Sequence, residues 1–303
     1  MAIDLTRFYE QSQRVTDRMT NAEMIRLRQE YRASLRVIQN DLAQMYAKHA
    51  RDGVLSIEDM LKYNRLDNLE KAVNKELGRL GGVNTRSVKR LASDIYQESF
   101  FRSAFAIERG TELNLAFGQL PTRQVEAAVR NPLMDLALDR NQRLVREGVK
   151  REITQGIIRG LSYPDVAQNI KGRMEGNLNN VDRIARTEGH RVREQGNYDS
   201  MLHAESKGVI MRKRWVATLD NRTRDLHRDL DGQEVDTEED FVSPSGASGP
   251  GPGLLGSAED DIFCRCSMIA VIAGYEPEVR RNAESGMMPY KTYREWEAAK
   301  VKG

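Results

Sequence analysis

The stretch GVIMRKRWVATLD, residues 208–220, decides the fold, because the period of the apolar residues changes there. It is β-branched and partly alternating, a pattern that sends successive side chains to opposite faces of a strand. Everything before it carries the three- and four-residue steps of helices. Leu27, Tyr31, Leu35, Ile38, Leu42 and Met45 form one apolar stripe on a helix of about seven turns. Thr20-Asn21-Ala22-Glu23 ahead of the stripe has the capping-box pattern that opens a helix. Ser56 with Asp59 opens a second helix, which has Leu66, Leu69, Val73, Leu77 and Leu80 on one face and Gly81-Gly82 as its stop. The two read as an αα-hairpin.

Helical period continues through Val88, Leu91, Ile95 and Ser99 towards Gly118 and breaks at Pro121. A short helix runs from Thr122 to just before Pro132, since proline disfavours helix in the residue ahead of it. Another lies near 136–159, with Leu144, Ile153, Ile157 and Ile158. Ser162 caps the next, with Pro164 in its first turn, and a further helix starts near Val181 and ends near Glu205. Downstream of the opening stretch, SMIAVIAG (267–274) reads as a second, buried strand. Between the strands, SPSGASGPGPGLLGSAEDD (243–261) reads as a long loop, and the tail ends in a helix beginning near Tyr290. The expected fold is therefore α+β and mainly helical, a long N-terminal helical region followed by a smaller C-terminal domain with a short β-sheet. The expected division is an elongated helical domain 1–120, a core domain 121–275 with its loop at 243–257, and a tail 276–303.

Composition limits the function classes. The 303 residues are 39% hydrophobic and 30% charged, with a net charge of +2, which suits a folded chain rather than a disordered one. The start, MAIDLTRFYEQ, has neither a basic segment nor an apolar run, and no stretch approaches the about 20 apolar residues of a membrane span. A soluble protein made inside a cell is expected. Charge is unevenly placed: Arg183 to Arg228 holds eleven Lys and Arg against six Asp and Glu, whereas Asp229 to Asp261 holds ten acidic residues and no Lys or Arg.

The two cysteines of the chain, Cys264 and Cys266, sit one residue apart in FCRCS. On one strand face their Cα atoms would lie about 6.6 Å apart, near the upper limit for a disulfide, so a bridge is the weakest reading. They can serve as small packing residues, or as a two-thiolate clamp for a soft metal such as zinc. His227 is the best placed third ligand, with His203, His190 and Asp220 as fallbacks. HRDLDGQEVDTE (227–238) imitates a calcium loop, but His227 stands where its first Asp belongs, and a solvated acidic turn is the better reading. Asp220, Arg222, Arg224, Asp225 and His227 have the residue types for acid/base or phosphodiester chemistry, and equally those of an ion-paired turn. In RIARTEGHRVREQGN (183–197), Arg183 precedes Arg186, His190, Arg193 and Asn197 at helical spacing, a face that could meet phosphates or an acidic partner. It could equally be a solvated face or one paired with the acidic run.

Taken in order, RGLSYPDVA (159–167), RIARTE (183–188) with Asn197 beyond it, RWVATLDNRTRDLHRDLDGQ (214–233), Phe241 to Pro244 and CRC (264–266) resemble the phage head morphogenesis family, the Mu protein F-like minor head proteins. The resemblance spans roughly 130–275, and GYEPEVRRNAESGMMPYKTYREWEAA (274–299) is similar to that family's end. It implies a minor capsid protein of few copies, associated with the portal and packaged double-stranded DNA inside the procapsid. Major capsid or scaffolding protein are further implied partners, and the implied place in the virion is the capsid interior near the portal. Roles in head assembly and DNA ejection follow, structural rather than catalytic. The matching positions are Arg186, Thr187, Glu188, Trp215, Asp220, Arg222, Arg224, His227, Gly232, Cys264 and Cys266. The chain departs from the common pattern at Gly189-His190 and in its glycine- and proline-rich loop. Related domains can be fused to toxin modules, for which no residues are left here. The competing class is a metal-dependent virion enzyme, a nuclease or peptidoglycan-acting protein, built on the Asp220 to His227 cluster.

Overall fold

The computed structural model describes residues 5–272, 279–282 and 286–301. Contacts do not group along the linear division 1–120, 121–275 and 276–303. One compact unit combines Met1–Thr20, Leu91–Arg130 and Arg186–Gly303, and the other combines Asn21–Arg90 and Asn131–Ala185.

The second unit is helical. α1 (Leu5–His49) is already in progress at Thr20, so the capping box expected there is not a helix start. The Thr20 hydroxyl donates to the carbonyl of Thr16 at 3.1 Å, and Glu23 accepts from Arg26 at 3.1 Å and Arg90 at 3.3 Å. Ser56 does cap α2 (Ile57–Leu61), accepting from the Asp59 amide at 3.4 Å. A 3-10 turn with Tyr63 at φ 56° leads into α3 (Arg65–Thr111). α3 passes straight through Gly81-Gly82, which therefore do not stop a helix. A Cβ on Gly81 would come within 2.1 Å of the Gln142 side chain, so the glycine makes room for its neighbour, at a helix cost of about 1 kcal/mol.

α4 (Thr122–Val129) and α5 (Pro132–Ile158) lie where the sequence places them. α6 runs unbroken from Tyr163 to Ser206, so no new helix starts near Val181. Its buried residues Val166, Ile170, Met174, Val181 and Ala185 keep one face inward through Gly172 and Gly176, and this tertiary burial overrides the glycines' low propensity. The helical core joins Tyr31, Ile38 and Leu42 of α1 to Leu69, Val73 and Leu77 of α3, Val149 and Ile153 of α5, and Ile170 of α6. Within it the Tyr31 hydroxyl donates to Asn177 Oδ1 at 2.5 Å and accepts from Asn84 at 2.8 Å. Asn141 and Asn177 each donate to the other's carbonyl. Buried polar groups satisfied in this way fix how the four helices register.

The first unit carries the sheet. β1 (Met211–Val216) is central in a three-stranded antiparallel sheet, between β2 (Glu234–Asp236) and β5 (Ser267–Ile272), with Trp215 opposite Met268. Its core includes Tyr9, Ile107, Met201, Trp215, Phe241, Leu255 and Met268. α6 backs this core at Gly196, where a Cβ would stand 2.6 Å from the Tyr96 carbonyl oxygen. Only glycine permits that approach of two helix backbones. α7 (Asp225–Leu230) precedes β2.

The long loop is more ordered than its composition predicts. β3 (Phe241–Val242) pairs with β4 (Ser248–Gly249), and α8 (Ala258–Asp261) follows. Lys213, fully buried in β1, donates to the Pro250 carbonyl at 2.9 Å and lies over the rings of Tyr198 and Phe241. Burial pulls its ammonium down to about 8 despite the acidic residues nearby. β6 (Val279–Asn282), β7 (Gly286–Pro289) and α9 (Tyr293–Val301) complete the described chain, α9 being the helix expected near Tyr290. Among the described residues no helix is long and apolar enough to cross a membrane.

Candidate functional site: a buried cysteine and histidine cluster

Cys264 and Cys266 lie on the approach to β5, just after Phe263 turns the backbone at φ 58°. Both are free and buried. α7 brings His227 to them: its Nδ1 stands 3.7 Å from Cys264 Sγ and 3.4 Å from Cys266 Sγ. On the other side of the ring, His227 Nε2 is 3.6 Å from Asp260 Oδ1. That carboxylate is held by the hydroxyls of Ser243 at 2.9 Å and Ser245 at 2.8 Å. Trp215 meets the His227 ring edge-on with centroids 5.6 Å apart, and its indole N–H is buried with no hydrogen-bond partner among the described residues.

The electrostatics follow from burial and proximity. Burial pushes the Cys264 thiol well up, and so does its neighbouring sulfur. Burial acts on Cys266 in the same direction, but hydrogen bonds from Cys264 and His227 outweigh it and hold that thiol at about 5. Two sulfurs this close in a buried setting resist carrying two negative charges at once. For Asp260, burial is outweighed by the serine hydroxyls and the adjacent imidazole, which lower its carboxyl.

The fallback ligands are engaged elsewhere. His203 meets the Leu115 carbonyl at 3.1 Å and lies against Phe117. Asp220 takes two hydrogen bonds from Arg265, one of them at 2.9 Å, and the Arg222 amide at 2.9 Å. The Arg265 guanidinium holds its carboxyl down at about 2 against the effect of burial. Arg224 donates to the carbonyls of Asp260 and Ile262, Arg222 is exposed, and Gly232 (φ 81°) donates from its amide to the Trp215 carbonyl at 2.9 Å. The cluster of acid/base residue types thus builds the turn around β1.

The basic face expected on α6 is largely internal. His190 is buried with Nε2 3.0 Å from the Cys266 carbonyl oxygen. Burial, then the neighbouring Arg193 and His227, drive its pKa well below the usual value, leaving it neutral. Arg193 is buried too, donating to Glu194 at 2.7 Å and to the Cys266 carbonyl at 3.3 Å. Neither can meet phosphates on the surface. Arg183 is exposed, Arg186 and Thr187 are half-buried, and Glu188 is buried and paired with Arg191 at 2.6 Å. Sequence reasoning missed Glu194, fully buried and accepting the Met268 amide at 2.9 Å, and it missed Asp260. Asp260 had one available signal, its place four residues before Cys264.

Residues 147–269, from α5 into β5, match a family model described as Phage Mu protein F like protein. Minor head protein GP7 of Bacillus phage SPP1 is 34% identical over 290 residues, 93% of this chain and 94% of that protein. NAD(+)--arginine ADP-ribosyltransferase EFV of Enterococcus faecalis is 29% identical over 277 residues, 90% of this chain and 56% of that protein. No solved structure matches the chain. The family match takes in β1, His227 and both cysteines, and the similarity to the minor head protein runs nearly end to end. On these grounds the chain belongs to the Phage Mu protein F like family of phage minor head proteins, which act in head morphogenesis.

Proposed function

We propose that this virion component works inside the procapsid at the portal, where its helical unit touches packaged double-stranded DNA, and that its role is structural rather than catalytic. The observation that carries the DNA contact is a row of three arginines on α1. Arg28, Arg32 and Arg36 are all exposed on successive turns, about 6 Å apart along the helix axis. Among the described residues none of them is held in an ion pair. They belong to a unit with 23 Lys and Arg against 16 Asp and Glu, while the unit holding the sheet has 24 against 29. A net charge of +2 thus hides a basic unit and an acidic one. Guanidinium groups free to pair with phosphates bind without reading sequence, and the binding weakens with salt as counterions are released.

Changing all three arginines to Ala should leave thermal stability nearly unchanged and weaken binding to any duplex. The log–log salt slope should become shallower by about 1 per arginine removed. An unchanged slope in a filter-binding titration would remove the DNA contact from this face.

The portal contact rests on the family's implied place in the head. Co-expression with the portal protein should yield a complex that survives size exclusion. Separate elution at every salt concentration would refute the portal contact and leave the DNA contact standing. The non-catalytic reading is supported by how Asp220, Arg222, Arg224 and His227 are used, each in hydrogen bonds, ion pairs or contacts that hold the turn around β1. The relative named as an ADP-ribosyltransferase extends well beyond the part that matches, 56% of its length, so its named activity is not transferred by the similarity.

A further inference from the structure

We propose that His227 Nδ1, Cys264 Sγ and Cys266 Sγ bind one zinc ion that links α7 to the approach to β5. These three side chains form the only such group among the described residues, with all three ligand atoms within 4.8 Å of one another and all three residues buried. Tetrahedral zinc, with bonds of about 2.3 Å to sulfur and 2.0–2.1 Å to nitrogen, separates sulfur from nitrogen by about 3.5 Å. The two separations here are 3.7 and 3.4 Å, so the ligands already stand at the corners of such a site.

One ring nitrogen offers either one N–H or one lone pair and can serve one sulfur well, yet Nδ1 faces both. A cation at the centre serves all three ligands at once. Metal on Nδ1 requires the ring proton on Nε2, and the carboxylate of Asp260, fixed by two serine hydroxyls, waits 3.6 Å from that atom. A carboxylate behind a metal-binding histidine is the usual means of fixing its tautomer and orientation.

Charge points the same way: two thiolates and a neutral imidazole around a divalent ion sum to zero, whereas two bare thiolates in this core would be uncompensated. The donor set of two sulfurs and one nitrogen suits zinc over oxygen-seeking magnesium or calcium. Three protein ligands leave one tetrahedral position for a small ligand such as water. The unpartnered indole N–H of Trp215, beside the His227 ring, is a donor such a ligand could accept from.

The test uses the full chain, expressed with added zinc and dialysed. Elemental analysis should find one zinc per chain, and exchange for cobalt should produce a thiolate-to-cobalt charge-transfer band in the near ultraviolet. Cys266→Ser and His227→Ala should each lose the metal, while His227→Cys, which supplies a third thiolate, should keep it and intensify the band. Wild-type protein without zinc and without the cobalt band would overturn the proposal, as would zinc that survives Cys264→Ser combined with Cys266→Ser. The wild-type spectrum decides the question even if the serine variants fail to fold.

Discussion

Arg193→Ala is expected to cost about 3–5 kcal/mol of stability, because it leaves a buried carboxylate without its counter-charge. Arg193 and Glu194 are 5% and 0% exposed, their side chains 2.7 Å apart, so water cannot replace the missing guanidinium. The Met268 amide and Asn197 remain as donors to Glu194, and Arg193's bond to the Cys266 carbonyl is lost as well. Burial already raises the Glu194 carboxyl above its usual value, so the variant should relieve part of the penalty by taking up a proton. Urea denaturation measures the loss. Arg193→Met with Glu194→Gln should recover part of it, since the glutamine carbonyl still accepts the Met268 amide. DNA affinity of the folded Arg193→Ala fraction should match wild type, the reverse of the result expected for the α1 arginines. An undiminished denaturation midpoint together with weakened DNA binding would return Arg193 to the surface role suggested by its helical spacing.

Asp231→Ala should be comparably severe, again about 3–5 kcal/mol. Asp231 and Arg280 are 0% and 1% exposed and form two hydrogen bonds, at 2.9 and 3.0 Å. The same carboxylate accepts the Ala217 amide at 2.7 Å and the Tyr293 amide at 2.5 Å. One side chain therefore ties the end of β1 to β6 and to the start of α9. Its loss should expose the segment around 279–301 to protease before the rest of the chain unfolds. Asp231→Asn should do less harm, because its carbonyl oxygen still accepts one of these amides. A variant that unfolds at the wild-type urea concentration and resists protease equally would show that the pair does not hold this segment.

The fold class was legible because hydrophobic period changes once, at 208, and local sequence carries that signal. Helix ends were less legible wherever a pattern has two uses. Thr20 and Glu23 have the spacing of a cap, but in mid-helix both bond laterally. Gly81 reads as a stop and instead admits Gln142. At the site, two cysteines and a histidine stood out because the chain holds two Cys and four His. Arg193 and His190 misled, because helical spacing says that residues share a face but not whether that face meets solvent or a carbonyl 73 to 76 residues away. Asp231 read as a solvated acidic turn, and its cationic partner 49 residues on left no local trace.

The interleaved grouping of segments has a consequence for the order of folding. Every segment of the helical unit lies before Arg186, so all of it has been made while the remainder of the chain is still to come. The first twenty residues belong with Arg186–Gly303 instead. At 5–20 residues per second they wait on the order of 10 s for those partners. Tyr9, whose hydroxyl meets Ser103 at 2.9 Å, cannot complete its surroundings before Trp215 and β5 emerge. For that interval Tyr9 lacks the core neighbours that come with Trp215 and β5, so its ring stays in water until the last third of the chain has been made.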